Sequence, residues 1–234
     1  MNATSLLLST SVFIAVTHTL IGIDHYVPFV VLSKANAWTM KKTMTIVLLC
    51  GIGHVLSSVL LGLFGIALSQ SVTFLVNIET IRGTLATSFM IGFGLIYTCW
   101  ALTQLYRNKP HTHLVNGEKI LHDHHHIEQT QTHHEAKPKK NLNTIWGLFI
   151  LFVLGPCEPL IPLLMFPAAT QNTFAFIAVT AAFSLTTIIT MMGLTYIGVK
   201  GLKTINVKGL EKYSHALAGT AITLCGVMIL TLGI

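Results

Sequence analysis

The sequence predicts an all-α, polytopic membrane protein: six transmembrane helices in two inverted three-helix repeats, the first helix of each repeat broken. Three observations carry that prediction. Of 234 residues, 52% are hydrophobic and only 9% charged, where a soluble domain carries about 25% charged residues and can cover its surface with them. The apolar residues gather in runs long enough for the roughly 20-residue spans a bilayer demands. Finally, 13 of the 14 Lys and Arg fall in alternate connections between those runs. The net charge of +6 is thus dispersed among loops, which argues against a basic nucleic-acid-binding face. The four cysteines, Cys50, Cys99, Cys157 and Cys225, each lie within an apolar stretch and do not read as a secreted disulfide framework.

The spans are read, in order, at 5–33, 43–69, 83–106, 144–168, 172–198 and 213–233. The first lacks a basic leader and a small-residue cleavage site, and it runs on through Asp24 and His25, so a cleaved signal peptide is not expected. As one straight helix it would be about 43 Å long at 1.5 Å per residue, well beyond the roughly 30 Å hydrocarbon core, so a tilt or a break is expected. The connections at 34–42, 107–143 and 199–212 hold the basic residues, and the rest of the chain has only Arg82. Basic loops stay cytoplasmic. The expectation is an inner-membrane protein with both termini outside and the long third loop in the cytoplasm.

That loop divides the chain into 1–106 and 144–234, each with an odd number of spans, which forces opposite orientations. The two halves share a local pattern. Gly22-Ile-Asp24-His-Tyr-Val-Pro28 in the first half is echoed by Gly155-Pro-Cys-Glu158-Pro-Leu-Ile-Pro162 in the second, with acid and proline offset by 134 residues in both. Helix breaks are expected at Gly22 and Pro28, and at Gly155, Pro156, Pro159 and Pro162. Proline removes an amide donor, and at membrane depth the freed backbone groups need protein, water or cargo as partners. Matching interrupted spans are the best sequence pointer to a transport site.

Of the eight acids, Asp24 and Glu158 fall inside these spans, and no Lys or Arg does. A charged carboxylate at the bilayer centre costs roughly 2.5–3.5 kcal/mol on insertion scales, so both are expected to face a bound cation or a wet cavity. His18, His25 and His54 accompany Asp24. His18 and His25 share a helical face but lie about 10 Å apart on a straight axis, so they can share one ion only if the helix is interrupted near Gly22. Gly51 and Gly53 precede His54 and let a neighbouring helix approach closely. With Cys157 and Glu158 opposite, these residues make an N/O/S ligand set that suits nickel, cobalt, zinc or iron better than magnesium or calcium. A proton relay and plain structural packing are the other readings of the same residues. Ser184, Thr186 and Thr187 are the second half's counterparts of the Gly-x-Gly-His stretch, and His215 beside Tyr213 is expected at the interface.

The loop at 107–143 holds His111, His113, His122, His124, His125, His126, His133 and His134, eight of twelve histidines. Its composition cannot build a core, so it is expected to be disordered, and His-rich tracts read as metal-collecting.

The first-half motif resembles that of the nickel/cobalt transporter family, particularly its exporter branch, whose members carry a His-rich cytoplasmic loop. That family's motif is His-x4-Asp-His, and here five residues separate His18 from Asp24-His25. The Gly155–Pro162 segment is similar to the Pro-Cys-x-x-Pro segment of thiol-electron carriers related to cytochrome c biogenesis, and to sulfite-exporter-like proteins of the same superfamily. Those carriers need a second Cys in the matching span, where this chain has Asp24 and His25. The resemblance implies six spans in inverted halves. It also implies a secondary transporter of divalent transition metals, nickel or cobalt first, working as an exporter driven by an ion gradient. The expected partners are the bilayer and the metal cation, with no permanently bound cofactor, no nucleic acid, no enzymatic activity, and homo-oligomers allowed. A thiol-disulfide carrier using Cys157 and a small-anion exporter are the alternatives.

Overall fold

The computed structural model describes residues 3–68, 72–107, 111–115, 118–122, 142–157, 159–204 and 211–232. Its helices are α1 (Ala3–Ile21), α2 (Val27–Ala35), α3 (Met40–Ala67), α4 (Val72–Arg107), α5 (Leu142–Leu154), α6 (Leu160–Ala169), α7 (Thr173–Thr204) and α8 (Ser214–Leu232), with short 3₁₀ turns at Ile23–His25 and Glu211–Tyr213. Helix is the form the composition favours, because it satisfies every backbone N–H and C=O within the segment. Local signals place several ends. The Thr39 hydroxyl accepts from the Lys42 amide to open α3, and the Asn172 side chain accepts from the Ala175 amide to open α7. Pro28 sits in the first turn of α2, where its missing N–H costs nothing. It therefore starts a helix rather than breaking one.

Among the described residues, five helices are long and apolar enough to cross a membrane: Thr4–Ile21, Met40–Ala67, Thr73–Arg107, Thr173–Leu202 and Ser214–Leu232. The chain is an integral membrane protein. The segment expected to span at 144–168 is divided between α5 and α6, with Gly155, Pro156 and Cys157 between them. Phe13, Ile96, Phe174 and Ile197 are among the exposed large apolar side chains, an outer surface suited to lipid rather than water.

One expected boundary moves. The third span was placed at 83–106, whereas α4 begins at Val72 and takes in Asn77, Glu79 and Arg82. These polar residues lower the local hydropathy, which is why the apolar window starts late. Within the third loop, His111–Val115 and Glu118–His122 pair as an antiparallel ribbon with His111 opposite His122. The expectation of a loop without regular structure thus meets a short hairpin there. His124, His125, His126, His133 and His134 lie outside the described residues.

The helices pack in matching pairs. α1 lies on α7 as α5 lies on α3, α2 lies on α8 as α6 touches α4, and α3 meets α7 while α4 runs along α8. The α4–α8 crossing is the closest. A Cβ on Gly94 would lie 2.6 Å from the Thr223 amide nitrogen and 2.9 Å from the Gly219 oxygen. One on Gly219 would lie 2.7 Å from the Thr98 nitrogen and 2.9 Å from the Gly94 oxygen. Only glycine on both helices permits that approach. The main core gathers Phe29, Leu32, Val47, Met90, Leu148, Phe152, Met191 and Ile222, and a second cluster gathers Ala15, Cys157, Leu160, Leu164, Val179 and Phe183.

Candidate metal centre

Helix α1 stops at Ile21 because Gly22 adopts an extended conformation, φ −71° and ψ 90°. The chain then makes one 3₁₀ turn and re-enters helix at Val27. Glycine is required at the break, since a Cβ there would sit 2.5 Å from His25 Nδ1. The turn swings His25 back toward the last turn of α1, and the His18 and His25 ring centres come within 4.8 Å. The roughly 10 Å axial separation of a straight helix is removed by the interruption.

His54 arrives from α3. Gly53 allows this helix to press on α5, because a Cβ there would meet Val153 at 2.9 Å and Phe149 at 3.1 Å. The His25 and His54 ring centres are 5.1 Å apart, with the planes nearly perpendicular at 89°. His18, His25 and His54 each offer a ring nitrogen, all within 4.8 Å of one another. For comparison, an ion bound at about 2.1 Å to each of three imidazoles in tetrahedral geometry sets those nitrogens about 3.4 Å apart.

The outer nitrogens of two rings are already committed. His25 Nδ1 lies 3.1 Å from the Gly22 carbonyl and 3.0 Å from Asp24 Oδ1, and His54 Nδ1 lies 3.2 Å from the Phe152 carbonyl. A carbonyl can only accept, so both Nδ1 atoms carry a proton, and in the neutral rings both Nε2 atoms present a lone pair. The Nε2 atoms of His18, His25 and His54 are buried and have no hydrogen-bond partner. Three buried, unpartnered imidazole nitrogens at one point are a costly arrangement for a merely structural cluster. Together they could hold a transition-metal ion.

The structure revises the roles of the other expected ligands. Asp24 does not join the group of converging nitrogens. Its carboxylate holds His25, the orienting role that carboxylates commonly play behind metal-binding imidazoles. Cys157 also stands outside the group and is fully buried in the second apolar cluster beside Leu160. Glu158 lies outside the described residues. Pro159 leads into α6, and Pro162 sits in its first turn, so the second break is made by Gly155 and Pro156. His215 is half-buried, 2.7 Å from the Tyr97 hydroxyl, and faces Trp100 rather than the cluster. Thr187 is fully buried on α7 and forms no part of the histidine group.

Two residues were missed by reading the sequence. Glu79 is fully buried in α4, and its carboxylate accepts from Arg82 Nη1 at 2.8 Å. The same guanidinium donates to Ser58 and Ser57, and to the carbonyls of Val153 at 3.0 Å and Gly155 at 3.2 Å. An ion pair therefore does lie within the membrane helices, contrary to expectation. Its function is local: the last carbonyls of α5 lose their helical donors at the Gly155–Pro156 break, and Arg82 supplies replacements. The available signal was the i,i+3 spacing of Glu79 and Arg82, which places them on one helical face.

None of the four cysteines forms a disulfide, and only Cys99 is exposed. A cavity of about 540 Å³ adjoins the histidines and continues along α4 past Thr80, Thr84 and Thr87.

Residues 27–231 match the family described as the cytochrome c biogenesis protein transmembrane region. That is the group the second-half segment resembles, and not specifically the nickel/cobalt transporters that the first-half motif resembles. No curated protein and no solved structure matches the chain.

Proposed function

The chain belongs to the cytochrome c biogenesis protein transmembrane-region family, and from the site carried on that scaffold, rather than from the family, we propose that it carries a divalent transition-metal cation across the membrane. The observation that carries this reading is the convergence of the buried, unpartnered Nε2 atoms of His18, His25 and His54. Neutral imidazoles held by Asp24 and by backbone carbonyls favour nickel, cobalt, zinc or iron, with nickel and cobalt placed first by the resemblance of the motif. The matched helix pairings and the glycine crossing of α4 and α8 support two inverted halves in a six-span plan, with cargo bound where broken helices meet. The basic connections support cytoplasmic placement of the His-rich loop in an inner-membrane protein. A loop that collects metal on the cytoplasmic side favours export. Asp24 and the histidines release the ion when protonated, which supplies a means of coupling to a proton gradient. The protein moves its cargo without altering it chemically.

Family membership favours a second reading, thiol–disulfide electron transfer, better than it favours cation transport. That chemistry needs two cysteines whose Cα atoms lie within about 7 Å. The position 134 residues before Cys157 is Ile23, followed by Asp24 and His25.

Cellular metal content by mass spectrometry decides between the two readings. Cells expressing the wild-type chain or His25→Ala/His54→Ala would be loaded mildly with nickel, cobalt, zinc, manganese and iron. Transport predicts a change for one or two metals that the double variant abolishes. Equal contents in both strains, together with trapping of a mixed disulfide at Cys157, would establish the electron carrier instead.

A further inference from the structure

The cavity beside the histidines has a one-sided hydrogen-bonding character. Three hydroxyls on its wall have already spent their only proton. Thr17 donates to the carbonyls of Phe13 at 2.9 Å and Ile14 at 3.0 Å, Thr80 to Val76 at 3.0 Å, and Thr84 to Thr80 at 3.0 Å. A hydroxyl has one donor and two lone pairs, so each now offers only lone pairs to the cavity. Asp24, also on the wall, is an acceptor when ionised, and neutral His25 and His54, with Nδ1 committed to carbonyls, present Nε2 lone pairs. No Lys or Arg side chain lines the cavity among the described residues. Arg82, though adjacent in sequence to Gly83 on the wall, is turned to Glu79, two serines and two carbonyls.

Acceptors set in an otherwise largely apolar wall suit a guest whose outer surface is all donors. A divalent cation with its water shell is such a guest, because every coordinated water points its hydrogens outward. An anion presents the opposite surface and would meet lone pairs at these polar side chains and apolar groups such as Ile14, Leu151 and Ile229 between them. There is room for it as well: six waters at about 30 Å³ each fill about 180 Å³, and the cavity holds about 540 Å³. The bare ion alone would leave it almost empty.

We propose that this cavity is a separate binding site for the hydrated divalent cation, whose waters donate to Thr17, Thr80, Thr84 and Asp24 before the three histidines replace them. One water leaves for each imidazole nitrogen that binds, and each departing water has the cavity to move into. The inference rests on the histidine cluster being the metal site. It adds that Thr80 and Thr84, one turn apart on α4, set the preference for hydrated cations over anions.

The test is purified full-length protein in proteoliposomes with cobalt(II) as the probe. Thr80→Val/Thr84→Val keeps shape and removes both hydroxyls. The expected result is a rise in KM for cobalt of about tenfold, the worth of two modest hydrogen bonds. The cobalt d–d absorption bands of the histidine-bound ion should be unchanged, and Thr80→Ser/Thr84→Ser should restore the wild-type KM. An unchanged KM in the valine variant, with the bands present, would overturn the hydrated-ion site and leave the histidine site standing. Loss of the bands in that variant would make the threonines props of the cluster and would also overturn the proposal. If the wild-type protein shows neither bands nor uptake, the histidine reading falls and this one with it.

Discussion

Asp24 and His25 are neighbours in sequence with different tasks. The carboxylate holds Nδ1 of the ring at 3.0 Å, so that Nε2 faces His18 and His54. Asp24→Asn keeps the size but weakens the acceptor, and losing such a partner costs about 10–100-fold in metal affinity. A cobalt titration of the purified variant reads that loss, whereas His54→Ala should abolish the tight site. Arg82 is a different kind of residue. Arg82→Met leaves the buried Glu79 carboxylate without its cation and the Val153 and Gly155 carbonyls without their donor. Removing one partner of a buried pair costs about 3–5 kcal/mol, and the melting temperature in detergent should fall accordingly. At this scale the sequence was legible in part. His18, His25 and His54 stood out because imidazoles are rare in apolar runs. The Glu79–Arg82 pair did not, because a lone Arg between two hydrophobic stretches reads as a loop until the carbonyls it caps are known. Nor could spacing alone say that Cys157 packs among leucines while Asp24 supports rather than joins the converging nitrogens.

At the scale of elements, the break in the first span was legible because glycine, acid and proline coincide in a run too long for the bilayer. What remained open was how far the break would fold the chain back, and the 3₁₀ turn answers it by setting His25 edge-on to His18. Gly22→Ala places a Cβ against His25 Nδ1. The expected outcome is a protein with wild-type helical circular dichroism that has lost its cobalt bands. The α4–α8 crossing gives a second prediction. Gly94→Ala sets a Cβ against the backbone of Thr223 and Gly219, so α4 and α8 must part. The variant should melt well below Gly92→Ala, whose Cβ meets nothing within 4 Å. The late start assigned to the third span has a physical cause: hydropathy windows count Asn77, Glu79 and Arg82 as polar, although Glu79 and Arg82 pair with each other inside the protein.

Across the whole molecule, the alternation of basic connections and the share of apolar residues made a polytopic membrane protein legible before any helix was placed. The pairing of α1 with α7 and of α5 with α3 was legible only as an echo between two short motifs, since contacts between distant helices leave almost no trace in a single sequence. Family membership adds a scaffold shared with thiol chemistry, and function still has to be argued from the site that the scaffold carries. Here that site is made of imidazoles. Because protons compete with the metal for those nitrogens, binding should weaken as pH falls from 8 toward 5, and a cobalt titration at several pH values checks the direction. The His-rich loop would bind metal of its own, so total stoichiometry is informative only as a difference. The most direct measurement is equilibrium dialysis of the purified full-length protein against nickel or cobalt, with bound metal counted by mass spectrometry and compared with His25→Ala/His54→Ala. The metal reading predicts one ion fewer per chain in the double variant. Equal metal content in the two proteins would contradict it.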